Sequence, residues 1–533
     1  MVEILIIILG ALILSNLVAE HFKLVGPLVL IVVGALVSFI PHLPRVVVTP
    51  ELILSVFLPI LLFWEALNIS LRGIKRALRG IILSGTLMVI FVAVSVGLVG
   101  QLVGLSLGTA LLIGAAIGPT DATAVSSLGK GISRGQMVVL RAESLINDGT
   151  ALVVFALALE YAGESQQITA GRALTAFAIS FGGATLIGLA VGWLAVRAAA
   201  PIENAMVSNL VRILTPFVVY FLAEEIEASG VLAVVVCGLY IAQAGPRFQS
   251  TNSRFVGRPF WGMVAYILNN FLFFLVGYVL PELVRNLSSD TLVHALWVTV
   301  VLYMVMIAAR VIFMEVSIRV IRLLDRRPEQ RLRRTTFRAR LASDLAGFRG
   351  GISLAVALSI PAFLPSGEPF PARDVIVFVT SGIVVLSLVI QGALLPFAVR
   401  WQRTNSAADA EAEAQAQDKE IRAAMIDSMR LVYRDFDRIV AQNNISPEVA
   451  ARTKQEWEDE RANWVKASAD GIEHKILKDR ESSQALRLAI IRETRQNMIK
   501  FRDEGKIDDE SLIYLLEMTD MDEIRITGQV EME

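Results

Sequence analysis

The chain has 533 residues, of which 55% are hydrophobic and only 19% charged, and its mean hydropathy is +0.60. That composition excludes an ordinary soluble domain of this size and indicates a protein that crosses a bilayer many times. The formal net charge of -1 hides an uneven distribution, with an apolar chain up to about residue 400 and a tail dense in Asp, Glu, Lys and Arg.

The N-terminal run EILIIILGALILSNLVA carries Glu3 where a secretory signal has Lys or Arg, and it is longer than a signal's apolar core, so it is read as the first span. Thirteen stretches in all approach the roughly 20 apolar residues that a spanning helix needs. They lie near 3–20, 24–40, 51–68, 79–101, 109–128, 143–162, 171–197, 209–225, 229–245, 260–284, 291–318, 343–364 and 374–399. Alternate loops hold the basic residues: Lys23; Arg72, Lys75, Arg76 and Arg79; Lys130, Arg134 and Arg141; Arg197 and Arg212; Arg247, Arg254 and Arg258; and RLLDRRPEQRLRRTTFRAR. These loops are expected on the cytoplasmic side. The opposite loops are short, neutral or acidic, with Arg45, Arg172 and Arg285 as exceptions. An odd number of spans places the N-terminus outside and the tail inside. The single cysteine, Cys237, sits in the apolar run VLAVVVCGLY, so disulfides and Cys-based metal sites are excluded.

Two spans are interrupted. The fifth contains GAAIGPTDATAVSS, in which Pro119 removes an amide donor and crowds the carbonyl four residues back. Non-helical backbone at membrane depth is tolerated only inside protein or beside a water-filled cavity. A bound cation is one partner for the freed carbonyls. The twelfth contains SDLAGFRGGISLAVALSIP, with Gly347, Gly350 and Gly351 around Arg349. Seven crossings separate the two, so they run in opposite directions, as in transporters built from inverted repeats.

The sixth span opens on ESLINDGTALVVF. A charge in the bilayer core costs at least ~3 kcal/mol, so the charges there call for partners or a purpose. Glu143 and Arg349 are expected to neutralise one another as a structural ion pair. Ser144 lies one helical turn before Asp148 and on the same face. Together with Asp121 and the Thr120 carbonyl they make an all-oxygen site suited to a hard monovalent cation, with no His or Cys for zinc or copper. A site that holds either a proton or a cation couples the two, and the neutral Asn147 favours one proton per cation. Electroneutral exchange is the expectation, and Asn147 supports the broken helix by hydrogen bonding.

GPTDATAVSS followed by AESLINDGTALVVF resembles the paired motifs of bacterial NhaP-type sodium:proton antiporters of the monovalent cation:proton antiporter group, relatives of the animal sodium/proton exchangers. FLPILLFWEALN, ILNNFLFFLVG, GFRGGISLAVALSIP and VLSLVIQGALLP extend the resemblance over nearly the whole apolar part. It implies an all-α, polytopic fold of about thirteen transmembrane helices, with inverted repeats and two unwound crossing helices. The antiporter domain is expected over 1–402, with a six-helix core near 79–162 and 291–400 that moves against a dimerisation part in a homodimer. In such proteins the aspartate matching Asp148 is the shared ion and proton carrier, with Ser144, Asp121 and Thr120 near the ion. Glu143 and Arg349 match a structural pair, Asn147 a residue that stabilises the crossing, and Glu65 an acid on the proton path. Pro119 preceding Thr120 and Asp121 departs from many relatives, which carry Pro after the aspartate. The expected cargo is Na+ or Li+, or K+ by the same mechanism, exchanged for H+ in the cell membrane, with no cofactor and no nucleic-acid partner.

Residues 403–533 begin with an acidic, alanine-rich linker, TNSAADAEAEAQAQ, and continue as amphipathic helices. Ser446-Pro447 reads as a helix start, and Gly505 as the end of a helix that begins near Ser483. The tail is expected to be a cytoplasmic helical module for regulation or assembly. A cation channel is the rival reading of the membrane part, since acids and broken helices also line pores. GLSLG at 104–108 matches a nucleophile pattern only loosely, and Ser106 is expected in a turn. The chain is not read as an enzyme.

Overall fold

The computed structural model describes residues 2–22, 24–40, 49–69, 81, 83–121, 125, 132, 134–164, 170–324, 336–364, 366–402, 419, 423–424, 426–468, 474–504, 506 and 509–527. Lys23, the basic loop at 70–80, Lys130, the arginine-packed stretch 325–335, the linker 403–418 and Gly505 lie outside the described residues. The chain divides into two compact units, Met1–Asn405 and Ser406–Glu533.

The first unit contains α1 (Val2–Phe22), α2 (Gly26–Val37), α3 (Leu58–Leu67), α4 (Met88–Leu102), α5 (Leu107–Ala116), α6 (Arg134–Glu164), α7 (Ala170–Ala199) and α8 (Ala205–Glu224). It continues with α9 (Gly230–Ala244), α10 (Thr251–Asn286), α11 (Ser289–Leu324), α12 (Phe337–Leu345), α13 (Gly351–Leu358), α14 (Arg373–Leu386) and α15 (Gly392–Gln402). Among the described residues, seven apolar helical segments are long enough to cross a bilayer by length and composition, and five shorter apolar helices accompany them. Each predicted stretch overlaps one of these or the broken pair α12 and α13.

Boundaries differ where a helix outruns its apolar window. α6 begins at Arg134, nine residues before the predicted edge at 143, because polar residues with good helix propensity continue the backbone ladder. α10 runs from Thr251 through Pro259 and Pro281. Burial separates the centre from the periphery. In α6, 72% of the apolar window is buried, against 22% in α7, so α6 is a core helix and α7 leaves most of its apolar surface uncovered by this chain. Helix α2 lies tight against α10, since a β-carbon at Gly34 would collide with the Phe274 carbonyl and one at Gly277 with that of Ile31.

Among the described residues, three π-helical turns interrupt the ladder, at Ile53–Phe57, Leu83–Leu87 and Ser387–Gln391. Such turns leave a carbonyl without its usual intrahelical donor and concentrate at functional sites. Ser106 caps α5 by accepting from the Thr109 amide at 3.2 Å, after Gly104 at φ 91°. The serine of the GLSLG pattern is therefore part of a turn.

The second unit contains α16 (Phe436–Gln442), α17 (Pro447–Ser468), α18 (His474–Asp503) and α19 (Asp509–Thr527). α18 starts at His474 rather than near Ser483, since HKILKDRES is rich in helix formers. Arg495 ties α18 to α19 through Asp520 and, at 2.5 Å, Glu523. Lys454 lies over the rings of Tyr433 and Phe436.

Candidate ion site at the crossing of two broken helices

Helix α5 ends at Ala116, and residues 118–121 continue without helical structure. The Ala115 carbonyl still accepts from the Gly118 amide at 3.0 Å. The carbonyls that need new partners are those of Pro119 and Thr120. Ser144 Oγ donates to the Thr120 carbonyl at 2.5 Å, and Ser353 Oγ to that of Pro119 at 3.3 Å. On the facing element α12 stops at Leu345, the chain is extended at Gly350 (φ -121°, ψ -160°), and α13 starts at Gly351. The two breaks meet where the Asp121 amide donates to the Phe348 carbonyl at 2.8 Å. Gly350 has no room for a side chain, because a β-carbon there would collide with the Asp121 carboxylate.

Helix α6 presents Glu143, Ser144, Asn147 and Asp148 to this crossing, all of them buried. Asp148 has no solvent exposure, and among the described residues no side chain donates to its carboxylate, which faces the backbone amide of Thr120. Its charged neighbours are Glu65, Asp121 and Arg349. Glu65, half-buried on α3, in turn faces Asp121 and Arg141. The structure therefore brings Thr120, Asp121, Ser144, Asn147 and Asp148 together, with Glu65 in electrostatic range. The Asn147 amide satisfies both of its ends when Oδ1 accepts from Thr120 Oγ at 2.9 Å and the nitrogen donates to the Ser84 and Glu143 carbonyls at 3.3 Å. Ser84 belongs to the π turn Leu83–Leu87, so that this turn borders the site.

One expectation is corrected. Glu143 does not pair with Arg349; its partner is Arg310 on α11, whose Nη2 donates to Oε1 at 2.8 Å. Arg310 Nε also lies 3.9 Å from Asp344 on α12. A β-carbon at Gly347 would come within 2.6 Å of Arg310 Cζ, so this glycine makes room for the guanidinium. Arg349 has folded back, donating from Nη1 to the Gly347 carbonyl at 2.9 Å, while its amide donates to Ser387 Oγ at 3.0 Å. The reason lies in the break. The Gly347 carbonyl has lost its helical donor, and the neighbouring guanidinium supplies one, whereas Arg310 on a regular helix is free to reach across to Glu143. Ser387 also donates to Gln391 within the π turn of α14 and α15. Arg310, Asp344, Ser84, Ser353, Ser387 and Gln391 were not singled out in the sequence. Of these, only Arg310 and Asp344 carry a signal in the sequence, as charges inside apolar stretches that need partners, and that signal does not say which partners.

A helical membrane unit with two broken helices crossing beside a fully buried carboxylate defines the chain as a polytopic ion-transporting membrane protein. The transmembrane profile of the sodium/hydrogen exchangers matches residues 4–401, and the chain belongs to that family, one of transporters and not of enzymes. An uncharacterized Na+/H+ exchanger of Mycobacterium tuberculosis is 30% identical over 532 residues, 99% of this chain and 97% of that protein. The sodium, potassium, lithium and rubidium/H+ antiporter of Bacillus subtilis is 29% identical over 408 residues, 73% of this chain and 60% of that one. The low-affinity Na+/H+ antiporter NhaS1 of Synechocystis is 29% identical over 397 residues, 73% and 71% of the two chains. The fold is similar to that of the sodium proton antiporter MjNhaP1 from Methanocaldococcus jannaschii, with a TM-score of 0.58 and 16% identity over 74% of this chain and 96% of that one.

Proposed function

We propose that the chain exchanges a monovalent cation for a proton, electroneutrally, by letting the two compete for Asp148. The observation that carries this reading is the complete burial of that carboxylate with no side chain among the described residues donating to it. A bare carboxylate is costly at membrane depth. A proton or an alkali cation each neutralises it, so either loaded form can pass between the two sides while the empty, charged form is held back. Ser144, Asp121 and the Thr120 carbonyl supply the further oxygens that a dehydrated cation needs. Glu65 serves as an acid on the proton path. Asn147 carries no charge and braces the crossing.

The cargo is Na+ or Li+. K+ is the second reading, favoured by the similarity to an antiporter named for sodium, potassium, lithium and rubidium. The unit acts in a cell membrane as a homodimer, its N-terminus outside and its tail in the cytoplasm, and supports pH homeostasis. The tail is a regulatory or assembly module.

The test uses proteoliposomes carrying a pH gradient, with Na+, Li+ or K+ added in turn to the native protein and to Asp148→Asn. Native protein should move protons only when a transported cation is present, and Asp148→Asn should move none. Exchange retained by Asp148→Asn would reject this aspartate as the carrier.

A further inference from the structure

Helices α8 and α10 start side by side, where the Asn209 amide donates to the Ser253 carbonyl, and each carries an arginine near that end. Arg212, in the second turn of α8, has Arg254, in the first turn of α10, as its electrostatic neighbour. Among the described residues neither forms an ion pair. Arg212 is half-buried, and its Nη2 is wholly enclosed without an acceptor. Arg254 is exposed and held over the preceding turn by donating to the Gln249 carbonyl at 2.6 Å.

The surroundings fix this arrangement. A β-carbon at Gly257 would come within 3.2 Å of Arg212 Nη1, so the bare glycine lets the guanidinium lie against α10. Asn209 is 6% exposed; its amide nitrogen donates to the Ser253 carbonyl at 3.2 Å. Ser253 Oγ donates to Ser208 Oγ at 3.1 Å. Two helix N-termini, capped by Asn204 and Ser250, add their positive ends. Two like charges, one partly buried and neither neutralised, are unfavourable unless an anion joins them.

The same end of the two helices exposes Met206, Leu210, Phe255 and Phe260. A ligand carrying both a phosphate and acyl chains matches both features, whereas a free phosphate matches only the first. Basic pockets between membrane helices recognise phospholipid headgroups in this way. We infer that the adjoining N-terminal ends of α8 and α10 bind an anionic phospholipid, its phosphate on Arg212 and Arg254 and its acyl chains along the exposed apolar side chains beside them. This site is remote in sequence from the Asp148 crossing and stands independently of the ion reading.

The experiment uses the purified full-length protein, followed by native mass spectrometry and thermal unfolding. Phosphatidylglycerol is titrated against phosphatidylcholine and against inorganic phosphate. Phosphatidylglycerol should remain bound and raise the unfolding midpoint, while phosphatidylcholine and inorganic phosphate should not. Each arginine is expected to contribute about fivefold to retention, so Arg212→Gln with Arg254→Gln should lose about 25-fold. Arg285→Gln, near the opposite end of α10, should retain the native response. Where the double variant does not fold, Arg254→Gln alone, at an exposed position, should still lose about fivefold. Unchanged retention in the variants overturns the inference, as does full reproduction of the effect by inorganic phosphate.

Discussion

Arg310 is the side chain on which the crossing depends most, because it bridges Glu143 on α6 and Asp344 on α12 while filling the space above Gly347. Removing one partner of a buried ion pair leaves an uncompensated charge and costs ~3–5 kcal/mol. Arg310→Ala should therefore lower the unfolding midpoint and the folded yield sharply. Arg349→Ala removes a guanidinium whose direct hydrogen bond is to a single carbonyl, so its loss should be smaller, ~1–3 kcal/mol. Thermal unfolding of both variants in one detergent decides the order, and an equal or larger loss for Arg349→Ala would contradict this account. The charges of Glu143 and Arg349 were legible in the sequence, as was their need for partners. The pairing was not, because it depends on where a guanidinium points after a helix breaks, and a charge such as Arg310 inside an apolar span announces that it needs a partner without saying which.

Among the elements, the two interruptions were legible because proline and clustered glycines break a helix by local chemistry. The π turns were not, since they follow from tertiary accommodation and carry no compositional mark. Yet Leu83–Leu87 offers the Ser84 carbonyl to Asn147, and Ser387–Gln391 offers Ser387 to the Arg349 amide. The crossing is thus braced by bulged helices on both sides. Its closest approach is at Gly350, where a methyl group would meet the Asp121 carboxylate. Gly350→Ala should displace that carboxylate and reduce cation-dependent proton movement by more than about tenfold, given how steeply such steps depend on ångström-scale placement. Gly277→Ala forces α2 away from α10 instead, far from the acids in sequence. Overpacking there should cost ~1–3 kcal/mol of stability and leave cation preference unchanged. Transport assays paired with thermal unfolding separate the two outcomes, and a shifted cation preference in Gly277→Ala would contradict the division.

At the scale of the whole molecule the question is how many charges move per cycle. The sequence made Asp148 legible as the carrier candidate and Asn147 as its neutral neighbour. Folding adds that Glu65 and Asp121 come into electrostatic range of Asp148 from α3 and from the fifth-span break, a convergence that no local pattern displays. Strict one-for-one exchange requires those two acids to be in the same protonation state at each crossing, whichever ion occupies Asp148. A net charge crossing the membrane is worth ~2.3 kcal/mol per 100 mV, which would bias the exchange about fiftyfold. Exchange by Asp148 alone feels none of that bias. With Na+ as cargo and the potential clamped by valinomycin and K+ at 0 or about 100 mV of either sign, the final pH gradient should follow the sodium gradient alone. A gradient that shifts with potential would mean that a second acid titrates in step with the carrier. Repeating the clamp with Glu65→Gln would then identify whether Glu65 is that acid, since its loss should restore indifference to the potential.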